Sequence, residues 1–261
     1  MKPDRVRGRR PVASLAEPGT ALAALGDAVV ACRACPRLVA HRERVAAEKV
    51  RRHAAETYWG RPIRAFGDPR ATLVIVGLAP AAHGANRTGR PFTGDGTGGA
   101  GEWVARGLYE IGKASRPTWR QADDGLVLAG VLVTNAVRCV PPGNRPTAEE
   151  VRRCAPFLAA ELAALPALRV VLALGRVAFT ALLDAWPAAG GGPVPSPKPT
   201  FAHGRELPLA PGRALAGATL LAAYHPSRQN TNTGRLTWHM WLRVLRRAAE
   251  LAGGGTIGRD A

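Results

Sequence analysis

Ala71-Thr72-Leu73-Val74-Ile75-Val76 runs directly into Gly77-Leu78-Ala79-Pro80-Ala81-Ala82-His83-Gly84-Ala85-Asn86-Arg87-Thr88-Gly89-Arg90-Pro91-Phe92-Thr93-Gly94-Asp95. The apolar run has the length and β-branched content of a fully buried strand. The segment after Val76 is rich in Gly, Pro and polar residues, continues through residues 94–101, and ends where a helix is predicted over about 102–111. A strand that empties into such a loop is how open α/β sheets present reactive groups at the carboxyl edge. His83, Asn86, Phe92 and Asp95 put an imidazole, an amide, an aromatic ring and a carboxylate into one loop. An ordinary surface connection needs no such collection, so we read this loop as part of a site.

The same pattern recurs along the chain. Upstream, a helix is predicted over 15–30, a strongly basic helix over 37–52, and irregular structure over 58–67. Residues 126–137 form a second apolar run that delivers Thr134, Asn135, Arg138 and Cys139 to the same edge. Pro141 to Thr147 is a loop, and Thr147 with Glu150 three residues on makes a capping box for a helix over 148–165. A third strand is predicted over 169–174, followed by a helix opening at Gly175. Residues 187–200 read as a Gly/Pro-rich excursion. A fourth strand over 219–224 runs into His225-Pro226-Ser227-Arg228-Gln229-Asn230, and a last helix covers 236–251. Strands alternating with helices imply a parallel sheet covered on both faces. The expected organisation is a basic, disordered arm over 1–14, one catalytic domain over 15–251, and a flexible tail over 252–261.

Thirty-six Lys and Arg against 19 Asp and Glu leave a formal charge of +17. That field attracts a polyanion, and six Trp and three Tyr offer stacking surfaces, so nucleic acid is the expected partner. No apolar stretch approaches the ~20 residues of a spanning helix, and the basic arm lacks a signal-peptide core. A cytoplasmic, monomeric protein is expected. In such a compartment the four cysteines are not expected to pair as structural disulfides. Cys32 and Cys35 form a short chelating pair and Cys139 and Cys154 a wider one. Four thiolates in this arrangement suit tetrahedral zinc or an iron–sulfur cube, and spacing alone leaves both open.

With loop, cysteines and last motif assembled, the chain resembles the uracil-DNA glycosylase superfamily, and within it the family 5 (type B) iron–sulfur enzymes. The resemblance is carried by residues 77–84, 89–95, 134–139, 141–147 and 224–230 together with the cysteines. It implies a three-layer α/β/α sandwich around a four-stranded parallel sheet, and a 4Fe–4S cluster on Cys32, Cys35, Cys139 and Cys154. It also implies hydrolysis of the bond between a damaged base and deoxyribose in base excision repair. Phe92 matches the ring that stacks on the extruded base, Asn135 the amide that reads its edge, and His225 the imidazole beside its carbonyl. Asp95 takes the carboxylate role, because Ala79 and Ala81 stand where many relatives carry a polar residue. Gly77, Ala79, Pro80, Ala81, His83 and Asn144 are further expected base contacts. Arg228 is expected to grip phosphate, and Gln229 or Asn230 to fill the gap left in the stack. Small Ala79, Ala81 and Ala82 predict activity on hypoxanthine and xanthine as well as uracil. A uracil-only type A enzyme and a non-catalytic cluster protein that binds nucleic acid are the competing readings.

Overall fold

The computed structural model describes residues 18–94, 96, 98–253 and 256–257. The expected arm over 1–14 and most of the expected tail lie outside these residues, as does Asp95. In chain order the elements are α1 (Pro18–Ala31), α2 (Pro36–Glu48), β1 (Phe66–Gly67), β2 (Leu73–Gly77), α3 (Ala85–Thr88), α4 (Ala100–Glu110), β3 (Val131–Asn135), α5 (Ala148–Ala163), β4 (Val170–Leu174), α6 (Arg176–Ala188), β5 (Glu206–Leu209), β6 (Ala218–Ala223), α7 (Arg228–Asn232) and α8 (Trp238–Ala252), with short 3-10 turns at Arg51–His53 and Pro142–Asn144. No helix among the described residues is long and apolar enough to cross a membrane.

The strands form one sheet in the order β1-β3-β2-β4-β6-β5. The inner four run parallel, as expected, and the short outer pair, β1 and β5, run antiparallel to their neighbours. From β2 the chain goes outward to β3, then crosses back to β4. The β2–β4 boundary is therefore the topological switch point, where a crevice opens beyond the carboxyl ends of the strands.

Every residue of β2, β3 and β4 is buried, which is why these segments read as unbroken apolar runs rather than alternating ones. Side-chain alternation along β2 sends Val74 and Val76 to one face, against Leu158, Leu162, Phe179 and Trp186 of α5 and α6. Leu73 and Ile75 go to the other face, against Val104 and Leu108 of α4 and Trp241 and Leu245 of α8. Two apolar layers thus bracket the sheet, giving the three-layer sandwich. Gly107 lets α4 and α8 approach closely: a Cβ there would stand 2.4 Å from Leu245 Cδ1. The Trp241 indole donates to the Trp103 carbonyl across the same contact at 2.9 Å.

The second strand is shorter than the sequence predicts. Gly130 takes φ +65° and breaks the run, and Leu128 bridges Ala114 instead of the sheet. The capping box at the start of α5 is present in full: Thr147 Oγ1 accepts from the Glu150 N–H at 3.1 Å, and Glu150 accepts from the Thr147 N–H at 2.8 Å.

Candidate active site

Parallel register places Gly77 directly beside Asn135 at the carboxyl ends of β2 and β3. Gly77 is tightly enclosed: a Cβ built on it would lie 2.6 Å from Asn135 Oδ1 and 2.7 Å from Phe92 Cζ. The amide and the ring therefore both close over a backbone that has room for no side chain. Phe92 reaches this position with φ +54°, a conformation rarely used by an aromatic residue. Such strain is retained only where the surroundings fix the residue, and it concentrates at functional sites.

Those surroundings are two buried arginines that the sequence reading passed over. Arg87 donates to the His83 carbonyl at 2.9 Å and the Arg120 carbonyl at 3.1 Å, and pairs with Glu56. Arg90 donates to Asp124 from both Nη nitrogens, at 2.7 and 2.6 Å. That pairing holds the Asp124 carboxyl well below the usual carboxylate range. The long loop after β2 is thereby anchored from inside, and Phe92 is set by its frame.

A cavity of about 700 Å³ opens here. Its walls come from all four parallel strand exits: Leu78 to Ala81, Asn135, Leu174 and Gly175, and His225. Phe92, Asn144, Arg228 and Gln229 complete the set of expected residues on its lining. Asn144 stands there with φ +56° on the 3-10 turn after β3. Desolvation lowers the His225 imidazole to about 4, so it is neutral at pH 7. A neutral ring can donate one N–H and accept at the other nitrogen.

Three expected contacts are placed differently. Gly77 does not line the cavity but forms the floor beneath Asn135 and Phe92. His83 turns away from the cavity onto Tyr58, with Nδ1 3.2 Å from the phenol oxygen and the two rings edge to face. Asn230 points back, its amide donating to the His225 carbonyl at 2.8 Å, so it secures the His225 loop from within α7.

Sequence reasoning also missed Glu102, Arg145 and Arg176, which line the same cavity. Glu102 is the single carboxylate among the described lining residues. Its Oε1 accepts the Gly96 N–H at 2.9 Å, and the carboxylate packs against Gly94. It therefore holds the loop on both sides of Asp95, which itself lies outside the described residues. An acidic residue one turn into a helix that follows a Gly-rich run was the available signal. It reads equally as a complement to the helix dipole.

The four cysteines, all unpaired, line a second cavity with Leu38, Val39, Val137 and Phe157. Cys35 is the N-cap of α2 and Cys154 lies in the second turn of α5. Burial pushes the Cys139 thiol up to about 11 and raises Cys35 and Cys154 as well. Against this, Arg42 Nη1 donates to Cys139 Sγ at 3.0 Å and the Arg138 N–H to Cys154 Sγ at 3.3 Å. Buried thiols supplied with donors are a fitting set for a ligated, deprotonated group. Among the described residues no three of His, Cys, Asp and Glu are set to hold a single ion. The four cysteines thus border one small apolar hollow.

Comparison with known proteins agrees with this geometry. The family model described as the uracil DNA glycosylase superfamily matches residues 64–247. A type-5 uracil-DNA glycosylase of Thermus thermophilus is 52% identical over 225 residues, covering 86% of this chain and 95% of that protein. One from Pyrobaculum aerophilum is 43% identical, covering 86% of this chain and 91% of the relative. A type-4 uracil-DNA glycosylase from the same organism is more distant, at 34% over 45% of this chain.

Proposed function

Because the chain belongs to the uracil-DNA glycosylase superfamily, in its type-5 group, we propose that the carboxyl-edge cavity excises uracil from DNA in base excision repair. The observation that carries this is the convergence of Phe92 and Asn135 on Gly77, on the wall of a cavity that also holds His225. A flat base fits against a ring, and an amide beside it can read the edge of that base. A base inside a duplex is out of reach of any hydrolytic group, so the nucleotide must first swing outward into the cavity. Arg145, Arg176 and Arg228 at the lining offer cations for the flanking phosphates. We assign Gln229, on α7 at the cavity lining, to the vacated stack.

In the reaction a water oxygen bonds to C1′ of the deoxyribose while the bond from C1′ to the base nitrogen breaks. The bonding pair leaves with the base, so negative charge gathers on the base carbonyls and positive charge on the sugar. Asn135 and the neutral His225 donate hydrogen bonds to the departing base, the same device as an oxyanion hole. Stacking on Phe92 contributes ~1–3 kcal/mol to holding it. Asp95 orients the water, takes its proton and faces the positive sugar, a division of labour familiar from glycoside hydrolysis. Glu102 keeps the Asp95 loop in register.

The small side chains Ala79 and Ala81 on the cavity wall leave room for a purine, which supports hypoxanthine and xanthine as further substrates. We assign the cysteine cavity to a 4Fe–4S cluster held by Cys32, Cys35, Cys139 and Cys154. When bound, the cluster cross-links the α1–α2 turn to the segment after β3 and to α5; it takes no part in hydrolysis. A brown preparation with iron and acid-labile sulfide is expected; a colourless one containing zinc would replace the cluster with the alternative metal.

Oligonucleotides carrying uracil, hypoxanthine or xanthine, incubated with the protein and then treated with alkali, test the activity directly. Strand cleavage at uracil is expected, with slower cleavage at the purines; intact purine strands beside cut uracil strands would confine the enzyme to uracil. Asp95→Ala should lose most excision and keep DNA affinity, whereas a near-normal single-turnover rate would remove Asp95 from the mechanism.

A further inference from the structure

Arg42 is 1% exposed, yet among the described residues no carboxylate hydrogen-bonds its guanidinium. The nearest among the described residues, Glu43, forms an ion pair at 3.9 Å, is half-exposed, and is engaged by both Nη nitrogens of Arg33. A buried cation requires a compensating negative charge or a full set of acceptors. Arg42 Nη1 and Nη2 share the Cys32 carbonyl at 3.3 and 3.4 Å, Nη1 reaches Cys139 Sγ at 3.0 Å, and Nε has no acceptor. One carbonyl and one neutral thiol, itself a weak acceptor, leave this charge poorly matched. A set of four thiolates around an iron–sulfur core carries net negative charge and supplies what is missing.

We propose that Arg42 is the charge-compensating hydrogen-bond donor of the metal centre, setting how firmly the group is retained and at what potential it is reduced. Hydrogen bonds to the ligand sulfurs and nearby positive charge both favour the more negative, reduced state. The geometry also ties this centre to the base cavity. The Arg42 carbonyl accepts from the buried Asn86 amide at 3.2 Å, and Asn86 sits on α3, in the loop that carries Phe92. Arg42 acts through Cys139 and is a positioning residue, not a catalytic one.

The inference rests on the cluster assignment, and the test separates the two. Iron, zinc and acid-labile sulfide are first measured in the wild-type protein. Arg42→Met and Arg42→Lys are then compared with it for release of metal to a colorimetric chelator and for the potential of the cluster, read by an electron paramagnetic resonance titration. Circular dichroism verifies folding. Removing a partner of a metal ligand typically costs 10–100-fold in retention, so Arg42→Met should release iron ~10–100-fold faster. Its reduction potential should fall below the wild-type value. Arg42→Lys keeps the charge but loses the fork, so its release rate and potential should lie between the two. It decides the matter if Arg42→Met does not fold. Folded variants that match wild type in both readouts overturn the proposal. Zinc in the wild type would overturn the cluster assignment and the claim about potential, and the chelator rate alone would then judge whether Arg42 retains the metal.

Discussion

At Gly77 a single missing side chain leaves room for both Asn135 and Phe92, and each of these residues has a separable consequence. Removing an amide that stabilises developing charge costs on the order of 10²–10³ in the chemical step. Asn135→Ala is therefore expected to slow single-turnover uracil excision by about that factor, with DNA affinity unchanged; a loss confined to affinity would make Asn135 a binding group only. His225 gives a pH prediction. Its folded-state value of about 4 lies below the ~6.5 of an unfolded imidazole, so the folded protein binds this proton less readily. The stability that its neutral burial represents is complete above about pH 6.5 and declines as pH falls toward 4. Nuclear magnetic resonance titration of the His225 ring protons should find no inflection between pH 5.5 and 8; a midpoint near 6.5 would contradict the neutral-donor role. Asn135, Phe92 and His225 were legible in the sequence because each occupies a motif beside a strand exit. His83 and Asn230 belong to the same motifs, but their partners, Tyr58 and the His225 carbonyl, only exist once the chain is folded.

Elements decide how firmly these residues are held. The α4–α8 contact holds the Glu102-bearing wall of the cavity on the core through Gly107, where a methyl group would overlap Leu245 and Trp241. Gly107→Ala is expected to destabilise the protein by ~1–3 kcal/mol, measured by urea unfolding; no change would mean that the two helices adjust freely. Thr147→Ala removes one half of the capping box and should cost ~1 kcal/mol. The buried parallel strands and the amphipathic helices were readable because burial on both faces and helical periodicity leave strong patterns. β1 and β5 were not. The first has two residues, and the second carries Pro208 and pairs only through its neighbour β6, so neither makes a run of its own. The overlong reading of β3 has the opposite cause: its apolar lead-in packs against α4, and hydrophobicity alone does not say which surface a residue covers. Arg87 and Arg90 were passed over because nothing local reveals a carboxylate 31 or 34 residues away in sequence.

For the whole molecule, a charge of +17 predicts affinity dominated by phosphate contacts. If ~6 phosphates are neutralised, affinity should drop roughly 10³-fold between about 50 and 200 mM salt, as followed by fluorescence anisotropy. A flat salt response would mean that the arginines at the cavity do not face DNA. The proposed function makes the cavity at the carboxyl edge the place where an everted base is held and released. Gly77→Ala tests this most directly, since it adds one methyl group between Phe92 and Asn135 and touches no charge. With enzyme in excess over a uracil-containing duplex, the wild type should convert the strand to an alkali-labile product. Gly77→Ala should do so at least ~10²-fold more slowly, at unchanged DNA affinity. A Gly77→Ala protein that excises uracil at the wild-type rate would contradict that role for the cavity.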